Sequence, residues 1–447
     1  MRDSYEQGGD PYRFVIVAIF VFSSMLAGMA FNPLTPIANT AILIFKIGGD
    51  TIGLTTSICQ VATVVLSLPA VAFAGKFGPK FAAIIGTLLI SIGFSLRILI
   101  NESIFFVLIG QVLAGFGGPF INSIQSIVIN QWFNKKERGF WLALTAFALP
   151  GGTMLGFLLP ILFISSDETI DFELQKRNMF NYLFFEAAMA SGAFLLASFV
   201  WRPATEYIEN DEENTKKVVL NEEMNKFISQ ATTVATLKSV KMEDLWSQML
   251  YCFKRRAIRS LIILYSIAYA IILAIGSMLT AILSCFRYGD KAGPVLSCIL
   301  IGSGVFGSII YSSIFMRGAM QHKNMFVVTG FSAIMTFTMV IALVFEYKLP
   351  VIMGICCLLG LLGLNLNVLV LEELIRRLES KILVAASVLS MMFSQMLSAA
   401  MIYLTGFFIE PQNEVYGCSI LTAYGCLFLV NFGYCFMADY QLTADIH

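Results

Sequence analysis

Two prolines stand among polar residues inside the first apolar run of the chain, where residues 31–41 read FNPLTPIANTA and place Asn32, Thr35 and Asn39 around Pro33 and Pro36. Each proline removes a backbone donor. Carbonyls in this stretch therefore need other partners, and in apolar surroundings such breaks line cavities where amides can bond a solute. The alternative is a kink capped by its own amides. A second set of amides, Gln111, Asn122, Gln125 and Asn130, lies in the apolar run 104–130. Burying an amide without partners costs about 1–3 kcal/mol, so these side chains should face an interior. Asn122 and Gln125 are three apart and share a helical face near mid-run, which makes them the best polar pair for a solute. Bonding between helices, worth about 0.6 kcal/mol per bond, is the competing role. Asn365, with Asn367, adds amides in the second half of the chain, and Gln60 is a weaker candidate. Glu186 is the one acid well inside an apolar run. A carboxylate there is a candidate for taking and releasing a coupling proton, unless it reaches the interface or pairs with Arg97. Lys135, Lys136 and Arg138 follow one run, and Glu372, Glu373 and Glu379 follow another. Opposite charges on equivalent loops would latch two bundles as a gate, and plain topogenic charge is the other reading.

The elements that hold these residues are dictated by lipid. Of 447 residues, 57% are hydrophobic and only 13% charged, against roughly 45–50% and 25% in a soluble domain. A bilayer core of about 30 Å takes about 20 apolar residues of helix. Runs of that length recur near 14–45, 52–74, 81–100, 104–130, 140–164, 179–201, 258–286, 292–315, 324–346, 350–371, 381–409 and 418–437. They are apolar on every face, which excludes the alternating pattern of a β-barrel. The expected fold is all-α, with twelve transmembrane helices in two six-helix bundles. The domains follow: a tail 1–13, a bundle 14–201, a linker 202–257, a bundle 258–437 and a tail 438–447. Of the 29 lysines and arginines, 22 then fall on the side of the termini and 7 opposite, which puts both termini in the cytosol. The first run is too long and lacks a small-residue cleavage site, so it should stay as the first span. Within the linker, 209–226 is charge-rich and reads as a solvated tether. Met242, Leu245, Trp246, Met249, Leu250 and Phe253 then recur at helical spacing, which predicts an amphipathic helix, either lying on the inner leaflet or packed on the bundle ends. Lys254, Arg255, Arg256 and Arg259 follow it as headgroup anchors. Small residues four apart, Gly110, Ala114 and Gly118, Gly152 and Gly156, and Ser303 and Gly307, predict close helix packing.

Several function classes fall away. Charge cancels to zero, so no field holds nucleic acid. No HExxH, GxxxxGK[ST] or GxSxG pattern occurs and the histidines number two, so neither enzyme chemistry nor a metal site is expected, and no cofactor is implied. Nine cysteines without a CxxC pair argue against a disulfide framework. Six plus six helices suit two halves that rock about a central site, which is alternating access. The rivals are a receptor or sensor that binds without moving solute, and an ion channel. A channel lacks a ring of acids or a filter repeat.

The runs GQVLAGFGGP (110–119), WFNKKER (132–138) and GFLLP (156–160) resemble helices 4 and 5 of the feline leukaemia virus subgroup C receptor family within the major facilitator superfamily. FNPLTPIANTA is more similar to the first helix of its lysosomal disrupted-in-renal-carcinoma type, and Glu372 and Glu379 match two glutamates that follow helix 10 in the family. The resemblance implies a carrier of haem, choline or ethanolamine, or pyridoxine. AYAI (268–271) resembles the lysosomal type's helix 7 and makes Tyr269 a cavity candidate, while Gln395 stands one turn beyond Met391, where the family's helix 11 glutamine falls. The tryptophan that encloses a quaternary ammonium in choline carriers falls at Pro33, and the glutamine of helix 5 near Pro150. The reading is thus a multi-pass transporter of a small organic solute, secondary-active or facilitative, with Asn32, Asn39, Asn122, Gln125, Tyr269, Asn365 and Gln395 in the cavity. Glu186 is the proton-coupling candidate, and Lys135, Arg138, Glu372 and Glu379 form the cytosolic gate. Its partners are the solute and the bilayer, it is expected to be a monomer, and it belongs in the plasma membrane or a lysosome- or vacuole-type organelle.

Overall fold

The computed structural model describes residues 11–133, 135–164, 172–202, 242–286, 288, 291–315, 321–366, 369–370, 373–374, 378, 380–409 and 413–444. Among them there are helices and turns and no strand. The first half contains α1 (Tyr12–Met29), α2 (Ala38–Phe45), α3 (Gly49–Phe77), α4 (Pro79–Arg97), α5 (Ile104–Asn122), α6 (Gln125–Trp132), α7 (Lys135–Ala146), α8 (Ala148–Phe163) and α9 (Phe172–Leu195). The second contains α10 (Met242–Lys254), α11 (Arg256–Leu283), α12 (Ala292–Phe315), α13 (Gln321–Val344), α14 (Leu349–Gly363), α15 (Ser380–Phe408) and α16 (Glu414–Ala444). Ten helices among the described residues are long and apolar enough to cross a bilayer, and the shorter apolar helices Ala292–Ser308 and Leu349–Gly363 stand where spans 8 and 10 are expected. The twelve-span architecture accounts for all of them.

Proline shapes the spans. The first span is α1 and α2 with a break between, because Pro33 and Pro36 cannot donate along the helix. The chain tightens at the end of α1, where Phe31 N bonds Gly28 O (3.3 Å) and Asn32 N bonds Met29 O (3.4 Å). It then leaves helical geometry at Leu34 and resumes as a single 3-10 turn, Thr35–Ile37. In the fourth span Pro119 lies inside α5, and α6 begins only at Gln125, after Ser123 and Ile124. Ser123 Oγ donates back to Phe120 O at 3.0 Å there. The junction of α3 and α4 is one residue, Gly78, at φ 86° and ψ 170°. Only glycine occupies that region without strain, and Pro79 then starts α4 with its φ already set.

Packing follows small residues within each half. A Cβ on Gly152 would collide with the Met25 carbonyl oxygen, and one on Gly28 with that of Leu149, so α1 and α8 touch backbone to backbone. Gly93 and Gly110 do the same for α4 and α5. Gly307 and Ser303 meet Asn365 and Gly360 across α12 and α14, as their spacing predicts, whereas Gly118 faces open space. Between the halves α3 packs on α15, α8 on α12, and the 35–37 turn on α11.

The contacts between halves favour one end. A single buried apolar cluster joins Leu34, Ile37, Ala41, Ile52 and Ile164 of the first half to Met278, Ile282, Ile402 and Ile409 of the second. Its first-half members all come from the end of the bundle opposite the chain termini, here called the distal end. There a Cβ on Gly406 would fall 2.5 Å from the Gly49 oxygen, and one on Gly53 would fall 2.9 Å from that of Ile402. One turn further along, Ser57 Oγ donates to Ala399 O at 2.8 Å. The first half also keeps a core of its own around Phe20, Phe94 and Trp201.

The expected tether at 209–226 lies outside the described residues. α10 occupies the position of the expected amphipathic helix. Its edge carrying Met249 and Cys252 is buried, with Cys252 Sγ 4.0 Å from Ile382 O, and Phe253 meets Phe393 edge-on at 5.6 Å. Trp246, at 60% exposure, and Leu250, at 46%, remain open. The helix therefore packs on the bundle ends by one edge and leaves an apolar face uncovered.

Gly152→Val should disrupt the α1–α8 contact. Overpacking of this kind costs about 1–3 kcal/mol, so the purified protein should melt at a lower temperature in detergent. An unchanged melting point would mean that the two helices part at no cost.

Candidate functional site

The break in span 1 sits beside a buried charged cluster. Arg97, in the last turn of α4, is 0% exposed although it lies close to the end of an apolar run. The short 3-10 segment Ile98–Asn101 extends its helix and leaves the side chain inside the bundle. Its NH2 donates to Ala30 O at 3.3 Å and to Gln111 Oε1. Its NH1 lies 3.5 Å from Glu186 Oε2, within Coulombic reach but beyond a well-formed hydrogen bond. Tyr182, one turn before Glu186 on α9, donates its hydroxyl to Glu186 Oε1 at 2.6 Å. The guanidinium rests over the Phe94 ring, 4.1 Å from its centre. The structure thus places Glu186 in a fully buried ion pair with Arg97, the alternative to the proton-coupling role. The sequence offers this pairing as the alternative for Glu186, on the ground that neither the acid nor the base would be buried alone.

The predicted amides are buried but not all gathered together. Asn32 is 2% exposed and accepts from Thr35 Oγ1 at 3.4 Å. Asn39, half-buried, lines a narrow recess at the distal end with Pro36, Thr40, Ile164 and Thr280, with room for about one water. Asn122 is the half-buried last residue of α5. The turn that follows Asn122 separates it from Gln125, which donates instead to Leu142 O (3.2 Å) and Thr145 Oγ1 (3.1 Å) and ties the fourth span to the fifth. Asn365, 1% exposed, donates to Leu361 O within its own helix and leaves Oδ1 without a hydrogen-bond partner. Tyr269 is half-buried on α11 and stacks on Tyr265 with ring centres 5.7 Å apart. Gln395, 7% exposed, leaves its Oε1 without a hydrogen-bond partner, as does Gln60 on α3, 2% exposed. The register set by Ser57 against Ala399 brings those two glutamines to the same level of the α3–α15 contact, one turn nearer the termini. The composition singles out both amides, but only this pairing of helices relates them.

Of the expected gate, Glu372 and Glu379 lie outside the described residues, and Lys135 is described only as the first residue of α7. Arg138 donates from Nε to Phe133 O (2.8 Å) and from NH2 to Asn130 O (3.0 Å), closing the end of α6. Next to it Glu137 pairs with Arg13 of α1 at 2.7 Å, and Arg13 also lies over the Phe133 ring at 5.1 Å. These bonds lie within the first half. Among the described residues, no group of three or more His, Cys, Asp or Glu could hold a metal ion.

Comparison with known proteins bears on the family and the fold. An uncharacterised major-facilitator-type transporter of Caenorhabditis elegans is 27% identical over 199 residues, covering 43% of this chain and 33% of the relative. The choline/ethanolamine transporter FLVCR1 of Mus musculus is 28% identical over 152 residues, covering 34% of this chain and 27% of the relative. The chain thus matches only about a third or less of the length of these curated relatives. Among solved structures, a bacterial homologue of the human lysosomal transporter Spinster, described as inward-facing and unoccupied, superposes with a TM-score of 0.71 at 12% identity, over 98% of this chain and 99% of that one. The xylose transporter XylE of Escherichia coli gives 0.63 at 13% identity, over 95% and 99%. At such identity the superpositions establish the fold, and the sequence model of the Major Facilitator Superfamily matches residues 17–372. An integral membrane protein of two six-helix halves, the chain belongs to the Major Facilitator Superfamily of transporters.

Proposed function

We propose that this transporter moves a small organic solute, of the choline or ethanolamine type, by alternating access, as a member of the feline leukaemia virus subgroup C receptor branch. The observation that carries the reading is the closure of the halves at their distal ends, through the shared apolar cluster and the glycine contacts of α3 with α15. With both termini in the cytosol, the orientation that the distribution of basic residues favours, this closure shuts the carrier to the outside. The bundles are 14–201 and 258–437, joined by the linker 202–257.

The chemistry of the interior favours a small amine or alcohol over haem. Two propionates would need paired cations, and Arg97 is the sole basic side chain buried among the described residues, already held by Glu186. The candidate amides Asn32, Asn39, Asn122, Gln125, Asn365 and Gln395, and the Tyr265–Tyr269 pair on α11, are neutral, which suits a solute that carries hydroxyl or ammonium groups. Aromatic faces attract quaternary ammonium by about 0.5–2 kcal/mol. The choline/ethanolamine activity in the name of the mouse relative supports the same class. The pairing of Glu186 with Arg97 favours facilitated movement over a proton cycle through that carboxylate. Lys135 and Arg138 with Glu372 and Glu379 stay as the proposed cytosolic gate that closes when the outer side opens. The working unit is a monomer in the plasma membrane or a lysosome-type organelle.

Counterflow of labelled choline and ethanolamine into proteoliposomes tests the reading. Exchange with a preloaded solute is expected, and saturable binding without counterflow would instead mark a receptor. Tyr269→Ala should raise the half-saturation concentration about tenfold, equivalent to about 1.4 kcal/mol. A wild-type value would take Tyr269 out of the site. Gly406→Val should hold the outer mouth open, because its side chain has no room against Gly49. Counterflow should then fall at least tenfold while a thiol probe from outside gains access to a cysteine placed at Thr40. Full transport by this variant would remove the seam from the cycle.

A further inference from the structure

The carbonyl of Ala30 is the last acceptor of α1, and in a continued helix it would take its hydrogen bond from the amide of Leu34. The chain has left the helix by Leu34, because Pro33 and Pro36 lie there. In lipid an orphaned carbonyl must find another donor. It finds Arg97, whose NH2 reaches Ala30 O from α4 at 3.3 Å while also bonding Gln111 of α5. We infer that Arg97 is a positioning residue for solute binding: it replaces the missing amide of the broken first helix from behind, and so fixes the turn that presents Asn32, Thr35 and Asn39 to the space between the halves.

Each neighbour of the guanidinium serves that placement. Glu186 supplies the counter-charge that makes an arginine tolerable at 0% exposure. Tyr182 holds Glu186 by a 2.6 Å bond, and Phe94 supports the flat face of the guanidinium. Four spans therefore converge on one side chain: the first through Ala30, the third through Arg97, the fourth through Gln111 and the sixth through Glu186. A lysine could pair with Glu186, but its single nitrogen cannot stand both beside Glu186, where NH1 lies, and at the place of NH2, which serves Gln111 and Ala30. The inference rests on the proposed solute cavity only for the role of Asn32, Thr35 and Asn39.

The test uses the full chain in lipid nanodiscs and in proteoliposomes. Arg97→Gln with Glu186→Gln removes both charges at once and leaves no lone buried ion. Amide hydrogen exchange across 31–38 should speed up at least about tenfold, while residues 104–118 of α5 keep wild-type protection. In counterflow the half-saturation concentration for choline or ethanolamine should rise about tenfold with the maximal rate within about twofold of wild type. Arg97→Lys, which retains the ion pair, should loosen 31–38 to the same degree, and it decides the matter if the double variant does not fold. Wild-type exchange over 31–38 in either variant overturns the inference, as does a loosened segment with unchanged half-saturation. Absence of counterflow by the wild-type protein with both solutes would sink the proposed function instead, and the exchange measurement would still decide whether Arg97 fixes the break.

Discussion

A backbone carbonyl or amide in the interior of a bilayer has no water to turn to, and the architecture of this chain can be read as the ways in which that demand is met. Where helices run unbroken it is met locally. Where proline interrupts them, a polar side chain arrives. Arg97 serves Ala30 at the break in span 1, Ser123 returns its hydroxyl to Phe120 after Pro119, and Arg138 takes the carbonyls of Asn130 and Phe133 at the end of α6. At these three places a polar side chain marks where the backbone departs from the helix.

Within each half and between halves, different forces act. The first half contains a fully buried ion pair with a tyrosine bond, and single substitutions there would strand a charge, a change that costs about 3–5 kcal/mol. Between the halves the described contacts are apolar clusters, glycine against backbone, and single neutral bonds such as Ser57 to Ala399 and Cys298 to Met154 at 3.4 Å. No ion pair crosses from one half to the other among the described residues. Such contacts among the described residues close by shape and can part without stranding a charge, whereas the first half is braced by its own ion-pair network. Rigid halves with a separable seam are what rocking requires.

How much of this can be read from the residues alone depends on whether a local rule or a long-range contact decides. The spans are legible because lipid thickness fixes their length, and the break in span 1 because proline cannot donate. The packing of Gly152 and Gly110 is legible from spacing, and Gly118 shows the limit, since the same spacing there meets no neighbour. Glu186 is legible as an interior acid. The depth of Arg97 is not, because a 3-10 turn after it moves the end of the helix away and the run is apolar on both sides. For Gln125 the type of residue indicates burial, but its partner Thr145 lies on the next span, which spacing along α5 and α6 does not reveal. The relation of Gln60 to Gln395 exists only in the register of α3 against α15.

The same accounting bears on what such a cavity can carry. Glu186 and Arg97 cancel each other behind helix 1, so the candidate amides and tyrosines that remain are neutral. Binding a permanent cation by neutral carbonyl oxygens and ring faces leaves every protein group in the same protonation state before and after. No second ion is then needed to balance the empty carrier on its return, and the membrane potential alone would pull the charged solute toward the negative side, by about 2.3 kcal/mol per 100 mV. A carboxylate free in the cavity would reverse this logic, since it would have to be neutralised each time the solute left. Under the proposed function, the burial of Glu186 against Arg97 favours a carrier driven by the charge of its solute over one driven by protons.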